Sequence, residues 1–92
     1  YDISGVSDLK GEDYEISHRG YDTRYVEQDP DRLVPLDVLR ELEQDNVVGE
    51  IHNQFIATSG LANPLATSRR LGREIAQNLK DQGVDAVILT ST

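Results

Sequence analysis

Apolar residues recur at helical spacing in two places along the chain and run together without a break in a third. Leu36, Leu39 and Leu42 follow one another at intervals of three, with Val38 beside them and Pro35 in front. Proline is tolerated at the first helical position because its missing N–H would be unpaired there anyway, so this spacing predicts a helix over 35–44. Asp37 suits the positive end of the helix dipole, and Asp45-Asn46 marks the stop, with Asn46 suited to a left-handed cap. Leu65, Leu71, Ile75 and Leu79, with Gly72 and Ala76 on or near the same face, predict a second amphipathic helix over 65–82. Gly83 is placed to cap it, and Lys80 to meet the negative end of its dipole. Between the two, Ile51, Phe55 and Ile56 stand among polar residues and are of β-branched or aromatic type, which predicts a strand over 50–57. Ala86-Val87-Ile88-Leu89 is apolar throughout, as in a parallel strand covered on both faces, and predicts a strand over 85–90.

Strand, loop, helix, tight turn and buried strand compose a βαβ unit. The expected fold class is therefore α/β, with a parallel sheet in a three-layer, flavodoxin- or Rossmann-like arrangement. It is expected to be incomplete at the C-terminus, because no loop and helix follow the strand over 85–90. Residues 31–92 are expected to form this α/β core. Residues 1–30 form an irregular acidic lead-in, with isolated Ile3, Val6 and Leu9 and a short strand over 14–18. Asp29-Pro30-Asp31 is a further turn signal. The whole is one domain or a domain fragment.

Composition narrows the function. A chain of 92 residues holds one small domain. Lys and Arg number 9 against 17 Asp and Glu, a net charge of -8. The excess lies in residues 1–46, with thirteen acids and five bases, whereas 47–92 hold four of each. A negative surface repels a phosphate backbone, so nucleic acid is not an expected partner. Without cysteine there is no disulfide, thiolate metal site or redox dithiol. No apolar run is long enough for a membrane span and no basic, apolar-centred leader is visible, so a cytoplasmic protein without a membrane partner is expected. The chain starts at Tyr1 and contains no methionine, and the expectation is that an upstream piece has been removed.

In a parallel α/β sheet ligands gather beyond the carboxyl ends of the strands. Thr58-Ser59-Gly60 and Thr90-Ser91-Thr92 would lie at that edge. Ser59 and Gly60 suit the approach of a carboxylate or phosphate, although the same residues also serve as an ordinary helix cap, and they match neither a Walker loop nor a GxGxxG fingerprint. His18-Arg19-Gly20-Tyr21-Asp22-Thr23-Arg24-Tyr25 gathers a general-base type, two guanidinium groups and two phenols, a mixture suited to gripping a small carboxylate. Its structural alternative is a surface loop with Tyr rings packed down and Arg paired to Asp. His52 is expected to be a partly buried, hydrogen-bonded strand residue. The candidate substrate-binding set is His18, Arg19, Tyr21, Asp22, Ser59, Gly60, Thr90, Ser91 and Thr92. No catalytic residue and no metal ligand is assigned.

Three stretches together resemble a known family. They are His18-Arg19-Gly20-Tyr21-Asp22-Thr23, the segment Val34-Pro35-Leu36-Asp37-Val38-Leu39-Arg40-Glu41-Leu42, and Gly83-Val84-Asp85-Ala86-Val87-Ile88-Leu89-Thr90-Ser91-Thr92. Their order and spacing are similar to the selenoprotein B family of glycine, sarcosine and betaine reductases, with D-proline reductase as a relative. In that family the Leu-Thr-Ser-Thr segment runs into a selenocysteine followed by Gly-Thr-Cys. The resemblance implies a chain that stops just before the selenocysteine, and hence a fragment inactive alone. It implies reductive C–N cleavage of glycine, sarcosine, betaine or D-proline, with a selenolate as nucleophile. It also implies no cofactor in this chain, a pyruvoyl group in a partner subunit, and selenoprotein A as acceptor of the carboxymethyl product. The Thr90-Ser91-Thr92 ending leans toward the glycine branch. Two other readings stand beside it: a non-catalytic acidic α/β docking module for a partner subunit, and a hydrolase or transferase using His18 with Ser59, which lacks a nucleophile motif. An uncovered sheet edge would favour a homo-oligomer.

Overall fold

Both amphipathic segments fold as helices and end in the same way. The computed structural model describes residues 1–59 and 62–91. A short helix, α1, spans Arg24–Gln28, a single 3₁₀ turn covers Pro30–Arg32, α2 spans Leu36–Gln44 and α3 spans Leu65–Asp81. Asn46 follows α2 with φ 56°, and Gly83 follows α3 with φ 78°. At α2 the amide of Val47 donates to the Leu42 carbonyl at 2.9 Å and that of Asn46 to Glu43 at 3.1 Å. At α3 the amides of Val84 and Gly83 donate to Leu79 and Lys80, both at 3.0 Å. These paired bonds satisfy the last carbonyls of each helix and need a residue at positive φ, which Asn46 and Gly83 supply.

The sheet is where the expectation fails. Among the described residues there is no strand, so the parallel βαβ arrangement of a Rossmann- or flavodoxin-like α/β fold is not seen. The stretch expected as a strand over 50–57 makes one isolated antiparallel bridge, Asp2 with Gln54, and Asn53 accepts the Ile3 amide at 2.8 Å. Ile51 and Phe55, four residues apart, fall on one face as strand residues would and both pack on the core, but a single isolated bridge is all the ladder pairing their stretch is given. The stretches over 14–18 and 85–90 are likewise without regular structure. β-branched residues form a strand only when another backbone pairs with them, and propensity cannot supply that partner.

The chain divides into two compact units, one of Asp2–Phe55 with Leu89–Thr92 and the other of Tyr1 with Ile56–Ile88. The first holds the core. Ile3, Leu9 and Leu36 are buried together, with Val6, Tyr14, Val34, Ile51 and Phe55 packed against them. Two of the three buried members thus come from the segment expected as an irregular lead-in, which also contains α1. The second unit is built on α3, which has no buried residue; Leu71, Ile75 and Leu79 along its apolar stripe are half-buried.

Two charged side chains tie the first unit together. The Asp31 carboxylate, buried at 7% exposure, accepts the Leu9 amide on one oxygen at 2.8 Å. Its other oxygen accepts the amides of Leu36 and Asp37 at 2.9 and 3.0 Å. It therefore caps α2, whose own leading residue, Pro35, offers no side-chain cap. Arg40, on α2, donates to the carbonyls of Val6 and Ile3 at 3.0 and 3.1 Å and to Glu43 at 2.9 Å.

Arg40 beside it holds the Glu43 carboxyl below the usual carboxylate range, aided by the Ile51 amide and opposed by partial desolvation. A depressed folded-state value stabilises the fold above the unfolded value and loses that contribution as pH falls through the folded one. The urea midpoint is therefore expected to drop on acidification below the carboxylate range, and Glu43→Gln to show a shallower drop. Equal slopes in the two proteins would remove Glu43 from the acid response.

Gly11 is fixed by space rather than by backbone conformation: a Cβ there would overlap the Glu27 carbonyl oxygen of α1. Because the obstacle is backbone, Gly11→Ala is expected to cost about 1–3 kcal/mol, read as a lower thermal midpoint.

Candidate functional site

The residues from His18 to Asp22 form an exposed turn leading into α1. Gly20 takes φ 86°, a left-handed conformation that side chains disfavour. This reversal brings His18 to Tyr21, with ring centroids 5.7 Å apart at 73°, an edge-to-face contact. Asp22 grips Arg24: its two oxygens accept from Nε at 2.9 and 3.2 Å, and one also accepts from a terminal guanidinium nitrogen at 2.7 Å. These bonds hold the Asp22 carboxyl below its ordinary range, so it is a carboxylate at neutral pH. Both groups are more than half or about half exposed, and such a pair adds little stability. What it adds is order, because it fixes Asp22 in direction at the start of α1.

Arg19, between these pairs, has no hydrogen bond or ion pair with any described residue. A free guanidinium on a turn braced on both sides can take a carboxylate through two parallel N–H···O bonds. Tyr21 sets a phenol next to it in sequence, and His18 an imidazole. Of the eight-residue cluster read from the sequence, the turn thus joins two pairs and leaves one cation open. Arg24 was not in the candidate set; its spacing of two from Asp22 was the signal that Asp22 has an internal partner.

The hydroxyl residues are placed differently. Ser59 belongs to the unit of Ile56–Ile88, and Thr90 and Ser91 to the other; all three are exposed. Gly60 and Thr92 lie outside the described residues. Among the described residues there is no parallel-sheet edge to gather them. His52 also departs from expectation: it is half-buried, but its Nε2 is buried without a hydrogen-bond partner. Among the described residues no group of three or more His, Cys, Asp or Glu could hold a metal ion, and no helix is long and apolar enough to cross a membrane.

Comparison with known proteins covers the whole chain. The family described as glycine/sarcosine/betaine reductase selenoprotein B matches residues 1–92. The chain is 47% identical over 92 residues to the glycine reductase complex component B subunit gamma of Peptoclostridium litorale. It is 41% identical over 92 residues to the sarcosine reductase complex component B subunit beta of Peptoclostridium acidaminophilum. In both cases the match takes in 100% of this chain and 21% of the relative. The D-proline reductase subunit gamma of Acetoanaerobium sticklandii is more distant, at 34% over 87 residues, covering 91% of this chain and 35% of that one. The chain thus spans about a fifth of the length of the component B relatives it matches. No solved structure matches it. With every residue from Tyr1 to Thr92 inside the match, the chain belongs to the glycine/sarcosine/betaine reductase selenoprotein B family.

Proposed function

We propose that this chain is a segment of a selenium-dependent amino-acid reductase subunit that cleaves the C–N bond of glycine, sarcosine or betaine, or of D-proline as the more distant relative suggests. Its contribution is to hold the substrate carboxylate on Arg19. The observation that carries this reading is the family match over 1–92, joined to the one unpaired guanidinium on a turn whose neighbours are fixed.

The bond to be broken joins the amine nitrogen to the carbon beside the carboxylate. A selenolate supplied from outside these residues would be the nucleophile at this carbon. These 92 residues contain no cysteine, and no step of attack belongs to them. Their own part is electrostatic: Arg19 binds the carboxylate, and Asp22, paired with Arg24, holds the turn that carries it. The relatives are named as complex components, which supports working with other subunits; a pyruvoyl-containing subunit and selenoprotein A are the partners proposed.

Titrating the isotope-labelled chain with glycine and with betaine tests this directly by NMR. Shifts confined to the turn around His18, Arg19 and Tyr21 are expected, and Arg19→Ala should weaken binding about tenfold, the worth of a charge-assisted hydrogen bond. Unmoved resonances at saturating substrate would sink the assignment of Arg19. A second reading, a non-catalytic docking module, is favoured by the thirteen acids against five bases in residues 1–46. It predicts salt-sensitive retention on the pyruvoyl-containing subunit that Arg19→Ala leaves unchanged.

A further inference from the structure

The turn that carries Arg19 holds a free cation but no free carboxylate. Residues 18–28 contain two acids, Asp22 and Glu27. Glu27 accepts the Thr23 hydroxyl. Both oxygens of Asp22 are taken by Arg24, one by Nε at 2.9 Å and by the backbone amide at 3.3 Å, the other by Nε at 3.2 Å and by a terminal guanidinium nitrogen at 2.7 Å. The charge of Asp22 is thus neutralised inside the turn, whereas Arg19 has no hydrogen bond or ion pair with any described residue. An ammonium group is held best by a carboxylate, through charge-assisted bonds about twice as strong as those to neutral acceptors. From this asymmetry we infer that the turn reads only the carboxylate of its ligand and is blind to the amine, with Arg24 as the residue that makes it so. The inference rests on the carboxylate reading of Arg19 and deepens it.

Two features keep an incoming ammonium from displacing Arg24. Because Arg24 stands two residues from Asp22 and begins α1, its guanidinium is presented at the effective concentration of a tethered group, which a free ligand must match. A planar guanidinium also spans both carboxylate oxygens, whereas an ammonium is a point charge. The consequence is a shared site. Glycine, sarcosine and betaine differ in the N–H groups their amines carry but have the carboxylate in common, so one turn serves all of them and leaves the choice of amine to other residues.

NMR titration of the isotope-labelled chain with acetate, glycine and betaine tests this. The three should bind at the turn with affinities within about twofold of one another. Arg24→Ala frees Asp22 and should raise the preference for glycine over acetate to about fivefold, the upper worth of an exposed ion pair. Arg24→Lys keeps a cation for Asp22 and should stay near the parent ratio. The ratio isolates the effect, because a merely loosened turn weakens both ligands alike. Glycine or betaine binding tighter than acetate beyond that twofold range overturns the inference and leaves Arg19 as the carboxylate group. So does an unchanged ratio in Arg24→Ala with the helical chemical shifts of α1 retained. Should α1 be lost in that variant, the comparison of the three ligands on the parent decides alone. No shift at the turn with any of them removes the reading of Arg19 and this inference with it.

Discussion

Asp31→Ala lowers the free energy of unfolding by about 3–5 kcal/mol, enough to leave a domain of ordinary stability largely unfolded at modest urea concentrations. The size of the effect follows from what is left behind. Three amides, those of Leu9, Leu36 and Asp37, lose their acceptor at once, and Leu9 and Leu36 are buried where water does not readily replace it. Each stranded donor costs the full desolvation of an amide rather than the small net worth of a bond. Asp31→Asn is the informative companion. It keeps the volume and one acceptor oxygen but turns an NH₂ group toward an amide, so it should fall between the parent and alanine. Urea unfolding followed by far-ultraviolet circular dichroism gives the ordering. If Asp31→Ala unfolds at the same urea concentration as the parent, the three bonds do not organise the core.

Leu36→Ala is expected to cost about 3 kcal/mol, the loss of buried methyl and methylene groups plus the cavity they leave. Leu36 is 1% exposed and sits with Ile3 and Leu9 in the core, where the first unit has few other buried side chains to close over a gap. Its amide is also one of those held by Asp31. The two substitutions therefore act on one junction, and the double variant should lose less than the sum of the singles. Simple additivity would mean that the cap and the core are independent.

Local order in this chain is legible because its causes are local. The spacing of Leu36, Leu39 and Leu42, and of Leu71, Ile75 and Leu79, needs no distant partner to be read as a helix. Nor do the caps at Asn46 and Gly83. The polar and aromatic side chains around His18 stand out in the sequence for the same reason. What was not legible depends on residues far apart. Ile3 and Leu9 lie in a stretch with no period, so nothing nearby says that they are buried. Asp31 reads as an ordinary acid in a turn, and its acceptor role exists only once the backbone of Leu9 returns from 22 residues away. The strands failed in the same manner, since Val87 and Ile88 carry the right side chains but no ladder forms without a neighbour. The family likeness survived because it rests on residue identities from one end to the other, not on the sheet.

The long reach of Arg40 also sets a timetable for the ribosome. Its guanidinium bonds to the Ile3 carbonyl across 37 positions, so the Ile3 segment, made before α2, must wait, unfastened, until α2 has cleared the exit tunnel. Elongation proceeds at about 5–20 residues per second, giving a window of several seconds in which Ile3 and Leu9 are available to chaperones. Slowing translation ahead of α2 would lengthen that exposure without altering any contact in the finished fold.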